Sequence, residues 1–288
     1  MPVEIEVAVR TPAVLGEGPT WDHGSSTLLW VDILSSEVHR YAPARDDDAV
    51  LTVPQHVGAA KPRTMGGIVA NLRDGIALID RDGTRRWLVY WAREGVRGND
   101  AGIDPSGRLW AGTMRYDQAA DEGWLARVSG DGSAKVMVEK VNTSNGVGWS
   151  PDGRLMYYID TPTRRIDVFD FDDASGDVSN RRTLCMVGGT DGWPDGLCVD
   201  ASGCVWVALW GGHAVRRYTP SGELDREIRL PVDQPSACCF GGDDFADLYV
   251  TSARVGLSED ALAARPLSGS VLVLPGVGSG VPSAAFAG

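Results

Sequence analysis

The feature that most constrains the fold is a turn rich in Asp and Gly, followed by a short apolar strand, that recurs along the chain. Clear copies are DHGSSTLLWVDI from Asp22, DPSGRLWAGTM from Asp104, SPDGRLMYYIDT from Ser150 and DASGCVWVALW from Asp200. Looser copies are NLRDGIALID from Asn71 and GDDFADLYVTSA from Gly242. Measured between one aromatic or apolar residue in each, neighbouring copies are about 34 to 49 residues apart. A period of this length indicates a repeat architecture.

Six strand–turn–strand units of this size are typical of a six-bladed β-propeller with four-stranded blades around a central channel. Almost no stretch shows sustained helical periodicity. We therefore expect an all-β fold in which residues 1–288 form a single domain. The N-terminal run EIEVAVR is a spare strand, and closing the last blade with it would remove exposed sheet edges. The Gly-, Ser- and Ala-rich residues 277–288 predict a loosely ordered tail.

Charge and composition exclude several partners. The formal net charge of -12 argues against binding to nucleic acid or to an anionic membrane surface. The N-terminus lacks the pattern of a signal peptide, and no window approaches the length of a membrane span. The five Cys form no CxxC pair, which favours reduced thiols in a cytoplasmic protein. No apolar surface patch is evident that would predict an oligomeric state.

Four of the repeat copies carry a polar residue at one register, five positions before the turn. These residues are Glu17, Asn99, Asn145 and Asp195. In the looser copies the corresponding positions are Met65 or Gly66, and Ser236 or Ala237. The strand before the repeated turn is the innermost of a propeller blade, so residues at one register are expected to converge near the central axis.

A converging set of two carboxylates and two amides predicts a metal site. Carboxylates brought together repel each other, and burying them unpaired is costly, so a cation is the natural counterpart. All-oxygen ligands suit Ca²⁺, Mg²⁺ or Mn²⁺, while Zn²⁺ and Fe²⁺ remain compatible with only three protein ligands. Taken singly, each of the four residues is better explained as a turn residue that satisfies local backbone groups. The shared register favours one divalent metal ion.

The motifs that carry these residues resemble a known family. LGEGPTWD, RGNDAGIDPSGRLWAGTM, SNGVGWSPDGR and PDGLCVDASGCVWVALWGG are similar, in order and spacing, to motifs of the gluconolactonase/regucalcin (senescence marker protein) family. The resemblance extends along nearly the whole chain and is closest to bacterial sugar lactonases. It implies a six-bladed propeller with one divalent metal in the channel, and it places the metal ligands at Glu17, Asn145 and Asp195.

The resemblance also implies a substrate site. It places substrate-binding residues at Arg97 and Asn99 and, less directly, at Asp117. Gly98 departs from the family pattern, in which a bulkier residue commonly separates the Arg from the Asn, so we expect a wider or more mobile Arg97 loop. Trp124 and Trp193 are candidates for an apolar wall of the site or, alternatively, for blade packing.

These assignments predict a metal-dependent hydrolase that opens sugar lactones to aldonic acids. The metal would polarise the ester carbonyl, and Asp195 would act as general base on the attacking water. Arg97 would donate hydrogen bonds to the substrate, and Asn99 would orient the substrate or a water. Two alternatives stay open: hydrolysis of other esters or phosphotriesters at the same metal, and a non-catalytic calcium-binding propeller. The absence of GxSxG and HExxH sequences argues against a serine hydrolase and a zinc protease.

Overall fold

The chain forms six antiparallel sheets of four strands each, which are the blades of a β-propeller. The computed structural model describes residues 3–288. The strands fill the blades in chain order, with the exception of β1 (Glu6–Val9), which belongs to the last blade. The all-β fold with six four-stranded blades, predicted from the repeat, is confirmed.

The first three blades are built from consecutive strands. Blade one contains β2 (Gly16–Asp22), β3 (Thr27–Asp32), β4 (Glu37–Ala42) and β5 (Asp47–Thr52). Blade two contains β6 (Val57–Pro62), β7 (Ile68–Leu72), β8 (Gly75–Ile79) and β9 (Arg85–Tyr90). Blade three contains β10 (Val96–Ile103), β11 (Leu109–Arg115), β12 (Gly123–Val128) and β13 (Ala134–Val141).

The last three blades follow the same pattern. Blade four contains β14 (Ser144–Trp149), β15 (Leu155–Asp160), β16 (Arg165–Asp172) and β17 (Asp177–Met186). Blade five contains β18 (Trp193–Val199), β19 (Val205–Trp210), β20 (Ala214–Tyr218) and β21 (Leu224–Arg229). Blade six contains β22 (Gln234–Gly241), β23 (Asp247–Ala253), β24 (Val271–Leu274) and, at its outer edge, β1.

Helical structure is confined to short segments. Two short 3₁₀ turns, Pro43–Arg45 and Thr161–Thr163, follow strands in blades one and four. The helix α1 (Glu259–Ala264) lies between β23 and β24, and its N-cap is Ser258, whose Oγ accepts a hydrogen bond from the amide of Ala261 at 3.2 Å. In residues 3–288, no helix has the length and apolar character needed to cross a membrane.

The N-terminal strand closes the ring. β1 pairs with β24 in antiparallel register, with Glu6 opposite Val273 and Val7 opposite Leu272. The last blade takes only three strands from the C-terminal part of the chain, so without β1 its outer edge would be unpaired. The predicted closure by the N-terminal strand is therefore confirmed.

Apolar clusters between neighbouring blades form the core. One cluster joins Trp21 and Trp30 of blade one to Tyr249 and Val271 of blade six, and five others join the remaining neighbours in the same way. The largest fully buried side chains include Trp30, Trp110 and Trp206, each on the second strand of its blade. The burial of these aromatic side chains stabilises the contacts between neighbouring blades.

The Asp of the repeated turn has a structural role. The carboxylate of Asp104 accepts hydrogen bonds from the Trp110 indole at 2.9 Å and from the backbone amide of Arg108 at 2.9 Å. Asp200 accepts from the Trp206 indole at 3.0 Å in the same way. An indole N–H buried without an acceptor is costly, so in these two blades the Asp and the Trp six residues after it stabilise each other.

The C-terminal tail, whose composition predicts a loosely ordered segment, forms backbone hydrogen bonds to the blades. Ser279 and Phe286 take part in backbone hydrogen bonds with other blades: Ala201 N to Ser279 O at 2.8 Å, and Phe286 N to Pro62 O at 2.8 Å. Phe286 is fully buried, and residues 281–284 line a cavity that is distinct from the candidate site. The small residues of the tail allow close packing against the blades, since a Cβ on Gly280 would overlap the Cβ of Phe240.

Candidate active site

Each inner strand has a register shift close to one level of the channel, and the polar residues of the shared register lie in these shifts or, for Glu17, directly beside one. In blades one, three, four and five the register shifts lie between Glu17 and Thr20, Gly98 and Ala101, Ser144 and Val147, and Pro194 and Leu197. The inner strands of blades two and six shift between Val57 and Ala59 and between Pro235 and Ala237. A β-bulge re-aims a side chain, and it turns the bulged residues away from the regular alternation of the sheet.

The bulges bring the predicted residues to one cavity. Glu17, Asn99, Asn145 and Asp195, from four different blades, line a cavity of about 630 Å³ together with Arg97. All five side chains are buried, with no more than 6% of their surface exposed. The cavity therefore combines two carboxylates, two amides and one guanidinium at the mouth of the central channel.

A chain of hydrogen bonds fixes the Asn145 amide. Asn145 Oδ1 accepts from Asn99 Nδ2 at 2.8 Å, and its Nδ2 donates to Thr161 Oγ1 at 2.7 Å. The Thr161 hydroxyl donates to the carbonyl of Pro194 at 2.9 Å. Because a carbonyl oxygen only accepts, Thr161 must accept from Asn145, which sets the nitrogen of that amide toward Thr161 and its oxygen toward Asn99.

The Arg97 side chain forms hydrogen bonds to residues of its own strand, β10. Its Nη1 donates to the carbonyl of Gly98 at 2.9 Å and to Asn99 Oδ1 at 2.7 Å. The guanidinium also lies over the Tyr116 ring, with Cζ 5.9 Å from the centroid. A guanidinium has five N–H donors, so these bonds leave further donors at the cavity wall.

Burial makes the two carboxylates poor anions in the metal-free chain. Burial first, and then the charge of Asp100, raises the pKa of Glu17 to about 8. Burial, followed by the charges of Glu17 and Asp100, raises the pKa of Asp195 well above its usual range, although Arg97 opposes this shift. The site therefore has a strong electrostatic demand for additional positive charge.

The donor set fits one hard cation. Asp195 Oδ1 is buried and has no hydrogen-bond partner within residues 3–288, and Glu17 accepts only the amide of Gly18. Carboxylate and amide oxygens are the ligands that Ca²⁺ and Mg²⁺ prefer. The described residues contain no group of three His, Cys, Asp or Glu side chains arranged for a metal. A metal here would consequently need the amide oxygen of Asn145 as its third protein ligand.

Two charged residues of the channel were missed by the sequence interpretation. Asp100 and Lys61 are buried, and both line a second, smaller cavity deeper in the channel. Lys61 Nζ donates to Thr20 Oγ1 at 2.7 Å and to Gly18 O at 3.3 Å, and burial lowers the pKa of this ammonium. Asp100 directly follows Asn99 in the bulge, so the sequence could have predicted that it lies in the channel. The sequence AAKP around Lys61 contains no feature that predicts a buried lysine.

Asp117 does not line the cavity. Its carboxylate is exposed and forms two hydrogen bonds to Arg115, from Nε at 2.7 Å and from Nη2 at 2.7 Å. The residues on either side of it, Tyr116 and Gln118, line the cavity instead. The structure thus brings the neighbours of Asp117, but not Asp117 itself, to the candidate site.

Gly98 leaves no gap in the Arg97 segment, contrary to the expectation of a wider loop. Asn71 fills the space: a Cβ on Gly98 would lie 2.6 Å from Asn71 Oδ1. Asn71 Nδ2 donates to Asn99 O at 3.0 Å and to Gly112 O at 2.9 Å, so it binds the backbone of β10 and β11. The bulk that the family commonly places between the Arg and the Asn is supplied here by a neighbouring blade.

The two candidate tryptophans differ in environment. Trp124 packs edge to face against Trp91, with ring centroids 6.0 Å apart, and contributes to blade packing. Trp193 lines the cavity, as does Trp210, which is its partner in the β18–β19 pairing. Of the two, only Trp193 belongs to the wall of the candidate site.

Comparison with known proteins agrees with this architecture. Residues 15–254 match the SMP-30/Gluconolactonase/LRE-like region. Regucalcin of Danio rerio is 34% identical over 302 residues, covering 99% of each chain, and the 6-deoxy-6-sulfogluconolactonase of Pseudomonas putida is 38% identical over 271 residues, covering 93% of each. The crystal structure of the calcium-binding protein regucalcin from Agrobacterium tumefaciens has a TM-score of 0.94 at 30% identity, covering 99% of this chain and 98% of that one. The chain belongs to the SMP-30/gluconolactonase family.

Proposed function

We propose that this protein is a metal-dependent hydrolase that opens sugar lactones to aldonic acids. The observation that carries the proposal is the buried carboxylate oxygen of Asp195, unpartnered within residues 3–288, in a cavity that Arg97 also lines. A buried group left without a partner is costly, and it is commonly retained where chemistry requires it. The relative named a sulfogluconolactonase supports the substrate class.

Glu17, Asn145 and Asp195 would hold one divalent ion. Their oxygen atoms suit Ca²⁺, Mg²⁺ or Mn²⁺, and Zn²⁺ and Fe²⁺ are also compatible with three ligands of this kind. The description of the Agrobacterium tumefaciens relative as calcium-binding supports a divalent metal in this family. When bound, such an ion acts as a Lewis acid that polarises the ester carbonyl.

Asp195 would act as general base. Its carboxylate accepts a proton from a water molecule while the water oxygen forms a bond to the carbonyl carbon of the lactone. The bond between that carbon and the ring oxygen then breaks, and the proton passes from Asp195 to the ring oxygen, which leaves as a hydroxyl. The product is the open-chain hydroxy acid.

Arg97 and Asn99 would position the substrate and the ligands. The free N–H groups of Arg97 donate to oxygen atoms of the substrate. Both ends of the Asn99 side chain are already used, because Oδ1 accepts from Arg97 and Nδ2 donates to Asn145. Its role is therefore to hold Arg97 and Asn145 at a fixed separation. Asp117 has no part in this proposal, since it does not line the cavity.

The decisive variant is Asp195→Asn, assayed on D-glucono-δ-lactone with the metal content measured in parallel. Replacing the carboxylate removes the proton acceptor, so turnover should fall by at least about a hundredfold. Asp131→Asn is the matched control, because Asp131 is an exposed turn residue whose carboxylate accepts from Ser133 N at 2.8 Å. Wild-type turnover in Asp195→Asn at full metal content would overturn the assigned role.

The second candidate function is a non-catalytic calcium-binding propeller, which the calcium-binding relative favours. The two functions differ in what they require of Arg97, because a simple metal buffer has no use for a buried guanidinium beside the ligands. A panel of sugar lactones, aryl esters and phosphotriesters separates the possibilities. Turnover of lactones alone supports the proposal, turnover of the other classes replaces the substrate assignment, and no turnover favours the binding protein.

A further inference from the structure

Trp193 is an exposed aromatic residue at the edge of the catalytic cavity. It is 40% exposed, lines the cavity, and precedes Asp195 by two residues on β18. A tryptophan that served blade packing would bury most of its large apolar surface, as Trp110 and Trp206 do. The exposed indole therefore points to a surface kept free for a ligand.

The indole is held in place by an arginine on one face. The Cζ atom of Arg164 lies 3.6 Å from the centroid of the Trp193 ring, which is a stacked cation–π contact. Arg164 Nη1 also donates to the carbonyls of Gly188 at 3.0 Å and Gly192 at 2.9 Å, so the guanidinium is anchored to the segment that leads into β18. With one face covered and immobilised in this way, the other face presents a flat apolar surface with little entropy to lose on binding.

The cavity has chemically different walls. Blade three contributes the polar side chains of Arg97 and Asn99, and blade five contributes the indole rings of Trp193 and Trp210. A sugar ring has the same division, because its hydroxyl groups project from the rim while its C–H groups form an apolar face. Most ligand sites combine an apolar lining with a few polar groups that set orientation. The two walls therefore match the two aspects of a cyclic sugar.

We propose that Trp193, backed by Arg164, is the platform on which the C–H face of a sugar-lactone ring stacks, so that it selects a cyclic sugar over an open chain. This inference rests on the proposed function and extends it to substrate selection. Opening of the ring removes the flat face, so the platform binds the substrate more tightly than the open-chain product.

Binding of unreactive polyols tests the platform independently of hydrolysis. Calorimetric titration compares anhydroglucitol, a cyclic polyol, with glucitol, its open-chain counterpart. Trp193→Ala and Trp193→Leu should weaken binding of anhydroglucitol by about tenfold, the range of a single aromatic stacking contact, and leave glucitol unchanged. Trp193→Phe should retain most of the affinity. Leu is apolar like Trp but has no flat face. Trp193→Ala and Trp193→Leu therefore both test whether the flat indole ring is needed for binding.

Kinetics and a matched control complete the experiment. For D-glucono-δ-lactone the same variants should raise KM with little change in kcat, because the stacked ring is the same in the ground state and the transition state. Trp87→Ala is the control, since Trp87 is 44% exposed on β9 and packs against Tyr90 instead of lining the cavity. Unchanged anhydroglucitol affinity in Trp193→Ala and Trp193→Leu overturns the platform. A wild-type protein that binds anhydroglucitol through Trp193 yet hydrolyses no lactone supports the platform and overturns the proposed function.

Discussion

Asn99 donates its Nδ2 hydrogen to Oδ1 of Asn145 at 2.8 Å, across the boundary between blades three and four. The same Asn99 accepts from Arg97 through Oδ1, so one amide connects the proposed substrate-binding arginine to a proposed metal ligand. Asn99 and Asn145 each lie in a bulge of the inner strand of their blade, where the regular alternation of side chains is interrupted. The distance between the proposed substrate-binding residue and the proposed metal ligand thus depends on a contact between two blades.

Thr161 should be needed to orient Asn145. Thr161→Val keeps the shape of the side chain and removes the hydroxyl that accepts from Asn145 Nδ2, so the amide loses the contact that fixes its orientation. Outer contacts of this kind typically change metal affinity by about tenfold to a hundredfold. We expect a loss of affinity for the divalent ion within that range, measured by calorimetric titration of the metal-depleted protein.

Thr163→Val provides the control for this prediction. The Thr163 hydroxyl donates to the carbonyl of Asp160 at 2.7 Å in the same 3₁₀ turn, and it does not contact Asn145. Its metal affinity should match that of the wild type. Equal metal affinity in Thr161→Val and Thr163→Val would show that Thr161 does not orient the ligand.

The number of blades and the four polar residues could be predicted because each lies at a regular distance from the repeated turn. In blades three and five the Asp of the turn and a Trp stabilise each other within one hairpin, as Asp104 and Trp110 do, so the same pair appears in both copies. The bulge lies at a nearly constant distance before that hairpin, which is why counting back from the turn found Glu17 and Asp195.

Blade two was misaligned for a physical reason. The copy from Asn71 includes the turn between β7 and β8, one strand later than the turns of the other copies, so Met65 and Gly66 were assigned to the shared register. The register shift of its inner strand instead lies between Val57 and Ala59. The turn of its first hairpin, RTMGG from Arg63, lacks the Asp that the other copies have there, and no local signal marks it. The buried Lys61 on that strand was overlooked as a result.

Features that depend on contacts between residues far apart in the chain could not be predicted from the sequence. Phe286 is buried against blades two and three, far from it along the chain, and a Gly- and Ala-rich tail carries no pattern that announces this contact. The two hydrogen bonds that turn Asp117 toward Arg115 are equally invisible in the family resemblance. A resemblance assigns a position, whereas the direction of a side chain depends on its neighbours.

Gly98→Ala should destabilise the protein and disturb the Arg97 segment. The added Cβ would lie 2.6 Å from Asn71 Oδ1 and 2.8 Å from the Asn71 carbonyl oxygen. Asn71 is buried and hydrogen-bonded, so β10 has to shift, at a cost of about 1–3 kcal/mol. Thermal unfolding measures this loss, and KM for the lactone should rise because Arg97 moves with the strand.

Gly189→Ala is the comparison for this substitution. A Cβ at Gly189 would meet no heavy atom within 4 Å among the described residues. Its unfolding temperature should stay close to that of the wild type. If Gly98→Ala unfolds at the same temperature as Gly189→Ala, the close packing of Asn71 against β10 is not a constraint on the fold.

Phe286→Ala should destabilise the whole propeller although the residue is third from the C-terminus. Phe286 is fully buried in the cluster that joins blades two and three, and its backbone pairs with Pro62 and Thr64. Removing a buried Phe side chain typically costs about 3–5 kcal/mol. Chemical denaturation measures the loss. Val281→Ala, at a partly exposed position in the same tail, should change stability by less than about 1 kcal/mol.

The stability of the metal-free protein should fall as the pH rises from about 5.5 to 8.5. Below pH 4.5, the ordinary pKa of the side chain, Glu17 is protonated in both the folded and the unfolded chain. Between 4.5 and about 8 the folded chain retains a proton that the unfolded chain has released, so each increase in pH favours unfolding. Above about pH 8 both states are ionised and the contribution of Glu17 no longer changes.

Glu17→Gln tests this dependence, because the amide cannot titrate. In chelator-treated protein the substitution should reduce the fall in unfolding temperature between pH 5.5 and 8.5 by at least about 3 °C, which corresponds to roughly 1 kcal/mol in a protein of this size. A divalent ion competes with the proton for the same carboxylate, so adding metal should stabilise the wild type more at pH 8.5 than at pH 5.5. The same pH slope in the wild type and in Glu17→Gln would mean that Glu17 ionises in the folded chain as readily as it does in the unfolded one.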